Sequence, residues 1–234
     1  MDMLLASIDA YCERTGPEIW SEPVNAVSNL AFFVAGFWGL REIRRHDGDI
    51  FARILAWWVV AIGVGSSLFH TFANVLTVWM DVVPIATFTL ALTLYNLRRF
   101  LGFGWVPGVL ALIAFFAVAG AATAALPDWV RVATNGTSGY LPAFLALAFF
   151  GLLLALRGHP AGRYDLAAAA ILLVSATFRS IDAEVCAALP LGTHFLWHTL
   201  NGLMLGVLLA SVAWHSRPGG QPQRAAAAPG GRTA

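Results

Sequence analysis

The sequence predicts an all-α integral membrane protein: a bundle of seven transmembrane helices, with the N-terminus outside and the C-terminus in the cytoplasm. Three observations lead there. The 234 residues are 59% hydrophobic and only 12% charged, with a mean hydropathy of +0.71, which is far too apolar for a soluble domain of that length. The apolar residues fall into seven blocks, each near the twenty or so residues that a helix needs to cross a bilayer. The arginines are unevenly shared between alternate connections, as the positive-inside rule requires.

Residues 1–21 form a polar, amphipathic segment in which MLLASIDAYCE can make a helical turn or two and TGP breaks it. Asp2, Asp9, Glu13 and Glu18 interrupt any apolar core there, so no cleavable signal peptide is expected and the first span serves as its own insertion signal. The seven-transmembrane domain covers 22–215, with spans near 22–41, 51–73, 77–97, 105–125, 140–157, 164–182 and 193–215. The breaks between them, such as REIRRHDGD, NLRRFLGFG and RGHPAGR, are short, polar and rich in Gly or Pro; before the third span there is only a tight turn at Asn74. The tail 216–234 is rich in Gly, Pro, Ala and Gln with no apolar face, and is expected to be a disordered cytoplasmic segment.

Every basic residue is arginine. Arg41, Arg44, Arg45, Arg98, Arg99 and Arg157 lead the larger group, on the side assigned to the cytoplasm, against Arg14, Arg131 and Arg179 on the other. The absence of lysine excludes a retinal Schiff base, which needs an amine. A net charge of +1 without a basic cluster gives no reason to expect a nucleic-acid partner.

Ionisable groups inside a bilayer are expensive and mark functional candidates. In HFLWH, His194 and His198 stand one turn apart on one helix face, the spacing that lets two imidazoles grip one metal ion. A catalytic zinc usually takes three protein ligands, so a third is needed. The topology supplies it: SSLFH puts Ser66 and His70 at the end of span 2, Asp81 follows at the start of span 3, and span 7 begins at the same face. His46, His159 and His215 fall at the opposite face. Other readings of these residues stay open. HxxxH also suits haem, as in an electron carrier, or structural pairing; Ser66 also suits a helix-packing hydroxyl; Asn201 suits either a partner that orients a ligand or an interhelical hydrogen bond. Near the N-terminus, Glu13, Thr15, Glu18, Glu22, Asn25 and Asn29 offer oxygens for a hard cation such as calcium, although acidic residues before a helix are favoured by its dipole alone. Cys12 and Cys186 both fall on the outer side, where oxidation is permitted; a disulfide and two unrelated thiols are the alternatives.

In order along the chain, YCERT with EPVNAVSNL, SSLFH followed at eleven residues by Asp81, RSIDAEVC and HFLWH resemble the motifs of the alkaline ceramidase family, in the wider superfamily that also holds the adiponectin receptors. They run from residue 11 to 198, nearly the whole membrane domain. The resemblance implies a zinc-dependent amide hydrolase that cleaves ceramide or a related N-acyl lipid to a fatty acid and a free sphingoid or amino base. It implies zinc on His70, His194 and His198, catalytic roles for Ser66 and Asp81, and a Cys12–Cys186 disulfide. It also implies calcium on Glu13, Thr15, Glu22 and the backbone of Tyr11. This chain departs from that last pattern: Ala10 stands where those enzymes carry aspartate, Thr15 replaces asparagine, and the loop before Glu22 is two residues shorter. The competing functions are a zinc-containing receptor or sensor of the adiponectin-receptor type and a lipid esterase. The arginine-rich, lysine-free composition fits a bacterial inner-membrane protein, its site facing the periplasm and its partner a membrane lipid.

Overall fold

The computed structural model describes residues 3–215, so the tail 216–234 lies outside the described residues. Seven helices long and apolar enough to cross a membrane follow in order: α1 (Pro23–Arg45), α2 (Ile50–Phe72), α3 (Val75–Phe100), α4 (Trp105–Ala124), α5 (Thr137–Leu156), α6 (Ala161–Val185) and α7 (His194–His215). A short helix, Asp128–Ala133, lies in the α4–α5 connection. All seven expected spans are present, and the differences are at their ends. α3 continues through a π-turn at Asn96–Phe100, and α6 runs on through Asp182 to Val185, polar turns that a hydropathy window cannot see.

α7 is the most buried of the seven and packs between α1 and α6, whereas α4 is peripheral. Lipid tails are as apolar as leucine, so contact between these helices rests on close packing at small residues. A Cβ on Gly202 of α7 would lie 2.5 Å from the Ala31 Cβ of α1, a contact that glycine alone permits. Leu55, Ile62, Trp197, Leu208 and Leu209 fill the centre, while Val34, Phe37, Leu110, Val118 and Leu152 face outward.

The link between α2 and α3 sets the site. Ala73 takes a left-handed conformation (φ 38°) that ends α2, and Asn74 opens α3 through a reciprocal capping box with Thr77. The next N–H groups of α3, which a helix start leaves without intrahelical partners, are satisfied from the N-terminal segment: Val75 N–H donates to Ala6 O at 3.2 Å and Leu76 N–H to Leu4 O at 2.9 Å. The Ile8 N–H returns to Ala73 O at 2.7 Å. The segment expected to make a helical turn or two is therefore laid along this turn in an irregular conformation, with a single bridge between Ser7 and Asn74. The carbonyls of Leu4 and Ala6 serve the start of α3.

Further into the bundle, Pro84 cannot donate to the Met80 carbonyl one turn earlier. Gly65 of α2 sits against that carbonyl so closely that a Cβ would lie 1.9 Å from Met80 O. The next residue on α2 is Ser66 and the next on α3 is Asp81, so this backbone contact is what brings the two together.

Candidate metal centre

His70 lies in the last turn of α2, His194 is the first residue of α7 and His198 lies one turn on; all three are buried. Their ligand atoms lie within 4.8 Å of one another, and their ring centroids are 4.5, 4.6 and 5.1 Å apart. This is a group that can hold a metal ion, and three imidazoles form a donor set compatible with zinc.

The hydrogen bonds around the rings indicate which nitrogens face inward. His70 Nδ1 lies 2.6 Å from Glu22 Oε2, and a carboxylate can only accept, so Nδ1 carries the proton and Nε2 presents a lone pair. That buried Nε2 has no protein partner. His198 Nδ1 lies 2.7 Å from Ser28 Oγ, whose own hydroxyl hydrogen is donated to Asn25 O at 2.8 Å; Nδ1 therefore donates and Nε2 carries the lone pair. His194 stacks on Tyr11 with ring centroids 3.5 Å apart, and its buried Nδ1 is also without a partner. Partnerless buried nitrogens on converging imidazoles are what a metal ion would satisfy.

Glu22 is buried between two cationic or potentially cationic groups. Burial pushes its carboxyl up, but hydrogen bonds from His70, Arg14 and Asn25 outweigh this and hold it below the usual range. Arg14 Nε donates to Glu22 Oε1 at 2.5 Å, and its Nη atoms donate to Gly16 O and His70 O. Glu13 accepts from the N–H groups of Val24 and Asn25 at 2.6 and 2.7 Å, capping α1. The oxygens expected to bind calcium are thus already engaged: Glu13 by backbone N–H groups, Glu22 by Arg14, His70 and Asn25, while Thr15 is exposed.

The start of α7 is fixed from α6. Asp182 Oδ1 accepts from the N–H groups of Thr193 and His194 at 2.6 and 2.9 Å, and Oδ2 accepts from Cys12 N–H at 3.0 Å. Gly192 allows this carboxylate to approach, since its φ is +63° and a Cβ would meet Asp182 Oδ1. Cys12 and Cys186 are joined by a disulfide across 174 residues, which ties the N-terminal segment to the end of α6. Burial pushes the neighbouring Tyr11 phenol above its ordinary range, so it stays protonated.

Ser66 is buried, and the contact of Gly65 with the Met80 carbonyl and the Asp81 backbone nitrogen sets it next to Asp81. Asp81 Oδ1 is buried with no partner. Asn201 does not orient a histidine; its Oδ1 is unpartnered and the residue lines a cavity with Ser66. The partners that orient the ligands are Glu22 and Ser28. A buried acid eight residues after an arginine on the same segment was a weak signal for the first, and nothing in the sequence marks the second.

A narrow cavity lies beside the triad. It runs from Ser66 and Asn201 along Phe32, Phe88 and Leu205 to Asn96, near the opposite end of α3. Polar groups thus stand at its two ends and apolar walls between, the shape of a site for a long chain with a polar head. Compared with known protein families and with curated proteins, the chain shows no match to either.

Proposed function

We propose that this protein is a zinc-dependent intramembrane amide hydrolase, similar to the alkaline ceramidases, that cleaves an N-acyl lipid to a fatty acid and a free amine. The observation that carries the reading is the convergence of three buried imidazoles, two with their protons fixed on the far side, near an unpartnered carboxylate oxygen and an apolar cavity lined by the neighbouring Ser66, Trp197 and Asn201. Zinc held by His70, His194 and His198 would supply Lewis acidity at the amide carbonyl and make water nucleophilic near pH 7.

The protein's own groups do the rest. Asp81 takes the proton of the attacking water on Oδ1 and delivers it to the departing amine as the C–N bond breaks. Ser66, beside Asp81, donates its one hydroxyl hydrogen to the charge developing on the carbonyl oxygen. Glu22 and Ser28 keep two imidazoles in the tautomer that presents Nε2. The apolar cavity receives the acyl chain and keeps bulk water from the amide. Three protein ligands leave a position for the reacting groups, which favours turnover over a purely structural metal, normally closed by four.

The proposed reaction does not use calcium; in the N-terminal segment Arg14 pairs with Glu22. The arginine distribution supports a site on the outer side, the periplasm if the membrane is a bacterial inner membrane. Incubating the purified protein with a panel of N-acyl lipids and the matching esters, with mass spectrometry of the released fatty acid, tests the reading. Release from amides in the native protein and none in His198→Ala is expected; equal release from both proteins would remove the triad from catalysis.

A further inference from the structure

Arg179, on α6, is a cation near the site that the proposed reaction does not use. Its Nη1 donates to Asn135 O at 2.9 Å and to Thr137 Oγ1 at 2.7 Å, and its Nη2 makes a long contact of 3.4 Å to the Tyr11 hydroxyl. The guanidinium lies over the rings of Tyr11, Tyr140 and Trp197, 6.0, 5.5 and 5.7 Å from their centroids. Among the described residues no carboxylate comes within ion-pair distance of it, whereas Arg14, at the same end of the bundle, is matched by Glu22. Asp81 acts on Arg179 electrostatically but does not pair with it. Among the described residues the hydrogen bonds of Arg179 are made by Nη1 and, at 3.4 Å, by Nη2, and none by Nε, so the least engaged donors lie along the Nε–Nη2 edge of the guanidinium plane. That edge matches a carboxylate with two parallel hydrogen bonds.

The surroundings say where such a carboxylate would come from. Arg179 lines an opening between α3 and α5 together with Val82, Gly139 and Pro142. This opening shares Ile85, Thr89, Tyr140 and Ala143 with the cavity that contains Ser66. One aromatic ring, that of Tyr11, separates the guanidinium from His194. A group bonded to the nitrogen side of an amide held at the triad can extend toward Arg179 through the opening that shares these residues, while the acyl chain extends the other way down the cavity.

We propose that Arg179 is an anion subsite for the head of the substrate, and that the lipid taken carries a carboxylate next to its amide, as an N-acyl amino acid does. The proposal rests on the amide hydrolase reading and names its substrate class. A phosphate offers the same charge, and the test separates the two.

The experiment is equilibrium binding to the full-length protein, stripped of metal by a chelator and held in lipid nanodiscs, so that neither hydrolysis nor metal coordination enters. The probes are N-palmitoylglycine, its methyl ester and ceramide 1-phosphate. The free acid is expected to bind at least about tenfold more tightly than the ester, the worth of a charge-assisted hydrogen bond. Arg179→Gln is expected to bring the acid down to the level of the ester, and Arg179→Lys to keep part of the preference. Equal binding of acid and ester by the native protein overturns the proposal whether or not the variants fold. So does an equal loss for both in Arg179→Gln, which would make the arginine a strut for the N-terminal segment. Tighter binding of ceramide 1-phosphate than of the free acid overturns the assignment to a carboxylate. If selective binding is found but the metal-loaded protein cleaves no amide, the hydrolase reading fails and the subsite stands.

Discussion

His70 presents Nε2 to the centre of the bundle because Glu22 holds the proton on Nδ1, and Ser28 does the same for His198. Such partners typically contribute about 10–100-fold to metal affinity. Glu22→Ala and Ser28→Ala are each expected to weaken zinc by a factor in that range, measured by competition with a coloured chelator. Affinity unchanged in both would mean that the rings are held by packing alone. Asp81 has a different place, next to Ser66 across the Gly65–Met80 contact and outside the triad. Asp81→Asn is expected to keep its zinc while turnover falls about 10²–10⁴-fold, the usual worth of a positioned acid or base. An undiminished rate would take the proton transfer away from it.

At the scale of the element, the α2–α3 hairpin decides whether Ser66 and Asp81 meet. Their approach depends on Gly65 lying against the Met80 carbonyl, which Pro84 does not bond. Gly65→Ala is expected to force the helices apart at a cost of about 1–3 kcal/mol and to lower activity sharply. Gly120→Ala on α4, where a Cβ would meet nothing within 4 Å, is the control. Thermal unfolding and turnover of the two variants check this, and equal behaviour would contradict it.

The seven spans were legible in the sequence because about twenty apolar residues per crossing is a local property. The grouping of His70 with His194 and His198 was legible for a related reason, since alternating crossings bring the end of span 2 and the start of span 7 to one face. The path of the N-terminal segment was not. Its turns satisfy Val75 and Leu76 of another element, and no local propensity encodes a partner that folding brings from far along the chain. Asp182 stood in a quoted motif, yet its role as the cap of α7 depends on Gly192 and the Cys12 backbone, contacts that only the tertiary structure shows.

For the whole molecule, the odd number of spans separates a polar, disulfide-bonded end that carries the triad from an end that carries most of the arginines. The proposed orientation, which rests on the arginine count, sets the first toward the periplasm. Labelling of an introduced cysteine at the exposed Trp20 by a membrane-impermeant maleimide in intact cells is expected, and its absence until the cells are opened would reverse the orientation. The same arrangement accounts for the disulfide, which oxidising compartments sustain and the cytoplasm does not.

The central claim, that metal on the three histidines cleaves an amide, is tested most directly by removing and restoring the metal. Purified protein should contain about one zinc per chain, lose release of fatty acid from an N-acyl lipid when zinc is stripped, and regain it when zinc is added back, with His198→Ala failing to bind zinc or recover. Full amide hydrolysis by the zinc-free protein would contradict the account.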